Sequence, residues 1–221
     1  MNVFEVEKIQ NKIQGLEDHI QGVLNGQLFS IPDLSVRDVE VKEPLQHPPK
    51  KGLSSKEGQA RLLHDLASIE LQAMELALRT LTEYHQEIKG TKYLDLLVQL
   101  ILSERSHLQL CVKGIQDLGF DWGQWPVHMA LWKSVGPEDS LIDRVFIVHR
   151  YLEGSGLDAA DTLLRRLSGV KSNFFFKKDT LQKVRAKLPK RLEPINSALR
   201  LRALFSESEI DTLKKYQKET P

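Results

Sequence analysis

Cysteine is almost absent from this chain of 221 residues. Cys111 stands alone, which excludes an internal disulfide and any thiolate metal cage and suits a reducing compartment. Long hydrophobic runs are also missing. No uninterrupted apolar stretch approaches the roughly 20 residues that a membrane-spanning helix requires, so no membrane partner is expected. The first ten residues, MNVFEVEKIQ, mix acids and amides with apolar side chains and form no signal-peptide core. Runs of alternating β-branched residues are lacking, which argues against a sheet. There is neither an internal repeat nor a low-complexity tract. With 41% hydrophobic residues the chain has enough apolar material to exclude a wholly disordered state. The expectation is a soluble, cytoplasmic, all-α protein.

Net charge of one sign is nearly absent as well, at +1, but this value hides a division. Residues 1–164 carry 16 Lys+Arg against 24 Asp+Glu, whereas residues 165–221 carry 15 against 6. A basic tail beside an acidic body either packs within the molecule or contacts a polyanion through counterion release. RNA is therefore a candidate partner for the basic segment, and DNA is not expected. Apart from Phe174, Phe175 and Phe176, no aromatics interleave with the basic residues.

Apolar spacing organises the rest. Val6, Ile9, Ile13, Leu16, Ile20 and Val23 recur every three or four residues and predict one helix over 4–24, ended by Asn25-Gly26. Residues 29–54 hold four of the nine prolines and little periodicity, which reads as an extended connector wrapped on a surface. A long helix is expected from about Ser55, a plausible N-cap, to about Glu87. Gly90 separates it from a second, over about 92–118 and stopped by Gly119. Residues 120–137 contain all three tryptophans and read as a structured loop before a third helix over 138–154. Shorter helical patterns follow at about 158–168, 179–188, 196–203 and 206–217. The organisation is an N-terminal helix and connector (1–54), a helical core (55–170) and a basic C-terminal helical segment (171–221).

Certain polar residues fall where apolar ones are expected. In the first long helix the stripe reads Leu63, Leu66, Glu70, Ala73, Ala77, Leu81. In the second it reads Leu97, Leu100, Ile101, Glu104, His107, Leu108, Cys111, Ile115, and in the third Glu153 borders Ile142, Val145, Phe146 and Leu152. A buried carboxylate needs a partner, and several converging carboxylates need protons or a cation. Glu-x-x-His on one bundle helix, with lone glutamates on its neighbours, is a donor pattern for di-iron and di-manganese carboxylate sites. Carboxylate with imidazole suits iron or manganese better than thiolate-seeking metals. Each glutamate is equally compatible with a packed stem whose carboxylate reaches water. His64, His128 and His149 read alone as satisfied core or surface histidines, and Cys111 as a packing residue.

Residues 58–78 (GQARLLHDLASIELQAMELAL), Glu104-x-x-His107, 121–132 (DWGQWPVHMALW), 148–158 (VHRYLEGSGLD) and 191–215 together resemble an uncharacterised family of the ferritin-like superfamily, a domain of unknown function. The resemblance covers about residues 40–215. It implies a ferritin-like antiparallel helical bundle and a dinuclear metal site, with Glu70, Glu104, His107 and Glu153 as ligands and His64 as an auxiliary group. The implied activity is a dioxygen-dependent di-iron oxidation or hydroxylation. In that pattern a fourth helix brings a second Glu-x-x-His, yet here 167–170 runs almost directly into Asn173-Phe174-Phe175-Phe176, and no histidine follows His149. The bundle is accordingly expected to be incomplete. His149, one turn before Glu153, stands within reach of the same face but is not counted among the ligands. An incomplete bundle leaves an apolar groove, which the N-terminal helix or a second copy of the chain would cover. The alternative function is thus a non-catalytic bundle acting through association, as a homodimer or on a partner helix.

Overall fold

Ser55 begins the central element. Its hydroxyl accepts the Gly58 amide at 3.0 Å, satisfying one of the free N–H groups at a helix start. The helix α3 then runs over Lys56–Ile88, close to the expected span. Gly90, at φ +75°, makes the turn that few other residues tolerate, and α4 follows over Lys92–Asp117. The short turn forces the two helices antiparallel. Their register is visible in two contacts: Gly114 lies against Leu63, and His107 meets Glu70, pairs that nest symmetrically about the turn. At 33 and 26 residues these helices extend roughly 50 and 40 Å, and they are the frame on which everything else is placed.

The computed structural model describes residues 1–148. Within them the chain is all-α, as expected, with no strand and a single isolated bridge between Val41 and Val127. Met1–Gly136 forms one compact unit. In the other, α5 covers Leu141–Phe146 behind a Ser140/Asp143 capping box. Glu153, His149, the segment 167–176 at which the fourth helix is expected to be missing, the shorter helical patterns beyond 154 and the basic segment lie outside the described residues. No described helix is long and apolar enough to cross a membrane.

The N-terminal helix differs from the expectation of one helix over 4–24. It begins only at Ile9 and is divided at Gly15 into α1 (Ile9–Gln14) and α2 (Leu16–Leu24). The reason is tertiary. Val3 and Phe4 are fully buried in a turn ahead of the helix, which the helical continuation would have pulled away. A Cβ on Gly15 would collide with the Met1 side chain at 1.6 Å. The expected stripe otherwise holds, since Ile9, Ile13, Leu16, Ile20 and Val23 are all buried. Asp38 of the connector accepts the Ile9 amide at 2.9 Å and the Trp122 indole N–H at 2.7 Å, tying the start of α1 to the tryptophan loop.

The deepest part of the core contains charge. Glu75 on α3 is fully buried and receives Lys12 of α1 at 2.9 Å, the Ser35 hydroxyl at 2.7 Å and Arg37 at 2.9 Å on one oxygen, with a second Arg37 contact on the other. Lys12, itself fully buried, also donates to the Val3 carbonyl at 2.8 Å. Burial alone would push Glu75 toward protonation, but Arg37 and then Lys12 outweigh it and hold its carboxyl below the usual range. Glu75→Gln leaves two buried cations without their counterion, and urea denaturation is expected to show a loss of about 3–5 kcal/mol. The triple change Lys12→Met, Arg37→Met and Glu75→Leu, which leaves no charge of the cluster behind, should lie closer to the native value than Glu75→Gln does.

Gly58 gives a second test. The strand of connector at 51–52 lies flat on the first turn of α3, so that a Cβ on Gly58 would sit 2.1 Å from the Gly52 carbonyl oxygen. Helix propensity alone predicts that Gly58→Ala stabilises by about 1 kcal/mol. The clash is with backbone and cannot rotate away, so thermal denaturation is expected to show a lower midpoint, by about 1–3 kcal/mol of destabilisation.

Candidate metal centre

Residues three apart on a helix share a face, so α4 presents Glu104 and His107 side by side. The antiparallel register brings Glu70 of α3 opposite them. His107 Nδ1 lies 3.0 Å from Glu104 Oε2 and 3.2 Å from Glu70 Oε2. One donor atom from each of the three residues falls within 4.8 Å of the others. The side chains of Glu70, Glu104 and His107 are 23%, 12% and 14% exposed, so the trio is largely desolvated yet open on one side. Leu97, Ile101, Leu108, Val112 and Ile115 are the deeply buried positions of α4, while Leu100, Glu104, His107 and Cys111 form a half-buried flank. In α3 likewise Leu63, Ala67, Leu71, Met74, Leu78 and Leu81 are buried, and Leu66, Glu70 and Ala73 line the flank. The anomalous stripes thus mark the edge of the helix pair, one step round from its deepest line.

The electrostatics follow from crowding two carboxylates with one imidazole. Burial raises Glu70 to about 7, helped by the hydrogen bond and charge of Glu104 and opposed by His107. For His107 burial works against the imidazolium, but hydrogen bonds to Glu104 and Glu70 more than compensate and lift it to about 9. Near neutrality the imidazole therefore carries a proton that both carboxylates share. Cys111, one turn beyond His107, has its thiol pushed up to about 12 by burial and by Glu70, which makes it a poor nucleophile. It remains a packing residue.

Of the four residues taken as ligands, Glu70, Glu104 and His107 are brought together, and Glu153 is outside the described residues. His64 is not brought to the trio. It stacks on Trp122 with ring centroids 4.6 Å apart and accepts the Gly123 amide at 3.1 Å. Being six residues before Glu70, it projects from another side of α3. His128 is half-buried against His47. The fully buried Glu75 escaped the stripe analysis, although its place between Leu71 and Leu78 on one helical face was a usable signal.

The comparisons with known proteins add a family without an activity. The family described as "Protein of unknown function (DUF455)" matches residues 6–186. A protein of Haemophilus influenzae described as "Uncharacterized protein" is 26% identical over 126 residues, covering 54% of this chain and 44% of that relative. The matched region is thus less than half the length of the relative. No solved structure matches the chain. With most of its length, including α3, α4 and the trio between them, inside the matched region, the chain belongs to the DUF455 family.

Proposed function

We propose that the chain is a metal-binding helical protein of ferritin-like type, in which Glu70, Glu104 and His107 hold one divalent cation, iron or manganese. The observation that supports this reading is the convergence of three donor atoms within 4.8 Å from two neighbouring helices in a half-buried setting. The donors fit the group. Two carboxylates and one neutral imidazole offer hard oxygen and nitrogen and a formal charge of −2. Glu153 enters through the family resemblance alone, as a further carboxylate.

The residues' own roles follow from the geometry. Glu104 and His107 are fixed relative to each other by the rigid turn of α4 between them. Glu70 sets the distance across the helix pair. His107 must give up its shared proton before its Nδ1 can act as a donor, and Glu70 must give up its own. Cys111 and the apolar flank limit access of water to the carboxylates. Iron held there would supply Lewis acidity and, with dioxygen, oxidising power. A dioxygen-dependent oxidase or hydroxylase is the activity that this reading favours.

Metal analysis of the full chain loaded anaerobically with Fe(II), or with Mn(II), is expected to show about one equivalent bound, and less than about half an equivalent refutes the proposal. Glu104→Gln and His107→Ala should each weaken binding by more than the roughly 10–100-fold that loss of a supporting partner costs. Glu153→Gln reads the fourth assignment separately.

The proton balance gives an independent measurement. His107 is lifted to about 9 and Glu70 to about 7, and both must be deprotonated to bind metal. Between pH 7 and 9 one proton competes, so apparent affinity should rise about tenfold per pH unit. Below pH 7 two protons compete and the rise approaches about 100-fold per unit, flattening above pH 9. Titration calorimetry across pH 6–9 checks this, and an affinity independent of pH contradicts it.

A further inference from the structure

Four histidines away from the trio share one bonding habit. His19 Nδ1 accepts the Val3 amide at 3.1 Å, and His64 Nε2 accepts the Gly123 amide at 3.1 Å. His128 Nδ1 accepts the Ala130 amide at 3.3 Å. Arg61, whose guanidinium can only donate, points at His47 Nδ1 from 3.1 Å. In each case the partner is an N–H, so the ring nitrogen must be unprotonated. A proton added there sets donor against donor, removing a hydrogen bond and leaving a repulsion.

Three of these contacts tie non-helical segments to helices, and the fourth, between His128 and Ala130, is local to the loop. Val3 lies in the N-terminal turn, His47 in the connector, Gly123 in the tryptophan loop and Ala130 in its continuation. Other ties to the frame remain on the carbonyl side: Lys12 Nζ donates to Val3 at 2.8 Å, Gln59 Nε2 to Leu53 at 2.8 Å and Gln72 Nε2 to His128 at 2.9 Å. Among the described residues the connector and loop exchange backbone bonds through Val36 with Phe4, Lys42 with Val127 and Val127 with Glu40.

We propose that His19, His64 and His128 form an acid-released clasp, whose protonation loosens the N-terminal turn at the Val3 amide and the loop 120–130 while the α3·α4 pair stays formed. The groups facing each ring oppose its charging or are already engaged. His19 sits between Phe4 and Phe29, with Thr82 and the chain's amino terminus as its polar neighbours. His64 faces Trp122, Trp125, Asp65, Arg61 and His47. His47 faces Arg61 and His128, and its Nε2 meets the Lys42 carbonyl. His128 faces His47, Asp65, Lys50 and Glu43. Asp65 is the carboxylate shared by this cluster, and it already pairs with Lys50 at 2.6 Å and Arg61 at 3.1 Å. Burial accordingly holds His19 and His64 down to about 4, and it lowers His128 with help from His47. The middle of the connector is held differently, through Ser35 and Arg37 on Glu75. Release therefore starts at the ends of these segments.

Hydrogen exchange of the full chain between pH 7.5 and 4.5 tests the clasp. After correction for intrinsic rates, the amides of Val3, Gly123 and Ala130 should lose protection by at least about tenfold more than those of residues 76–81 in α3. Equal loss in both sets, or constant protection at the three amides, overturns the proposal. His64→Gln keeps an acceptor for Gly123 that cannot titrate, and it should abolish the pH dependence there while leaving that of Val3. Should that variant not fold, imidazole 15N shifts of the unaltered chain decide. The accepting nitrogens of His19 and His64 are expected to be bare at pH 7.5 and to gain protons only on approaching about 4, whereas Val3 and Gly123 begin to lose protection below about pH 6.5. A nitrogen already protonated at pH 7.5 refutes the clasp.

Discussion

A carboxylate withdrawn completely from water must find its countercharge inside the protein, and Glu75 imposes that condition on a helix whose Arg79, one turn on, is engaged by Glu83 instead. Its partners come from elsewhere, Lys12 from α1 and Ser35 and Arg37 from the connector. Satisfying one side chain thereby fixes two segments that local propensity leaves undetermined. Lys12 carries the constraint onward to the Val3 carbonyl, so that the turn holding Val3 and Phe4 is set by the same charge. The pairing gives specificity of placement more than net stability, because desolvating three charged groups consumes most of what their attraction returns.

Glu70 and Glu75 lie on one helix, five residues apart, and so point about 140° away from each other. Their fates differ because their partners differ. Glu75 meets fixed cations that are held, like itself, inside the core. Glu70 meets a second carboxylate and an imidazole, groups that can pass protons among themselves. One environment freezes the charge and the other leaves it adjustable. That contrast within α3 is what separates a structural carboxylate from one available for chemistry.

How much of this was readable in advance depended on how local each cause is. Ser55 and Gly90 announced the limits of α3 and the start of α4 because capping and positive φ act within a turn. Glu104 and His107 were legible as a pair because helical spacing alone puts them together. Their meeting with Glu70 required the register, which the short turn fixes and periodicity alone does not. The late start at Ile9 was illegible, since it answers to Val3 and Phe4 packing ahead of the helix. Lys12 stood beside Ile9, Ile13 and Leu16, and Glu75 beside Leu71 and Leu78, each on the apolar face of its helix. Read singly, either charge suggests a side chain reaching for solvent. Read together, two opposite charges on two buried faces are a mutual requirement, and the stripes hold the information once they are compared rather than scanned one at a time.

The proposed site is also constrained in the number of ions it can hold. Glu70 and Glu104 with a neutral His107 balance the charge of a single divalent cation. A second one would add two positive charges that the two described carboxylates do not balance. The antiparallel register, moreover, delivers the three donor atoms to one small region within 4.8 Å instead of spreading them along the helix pair. Charge, donor type and spacing of these three described side chains therefore agree with the one divalent cation proposed for them.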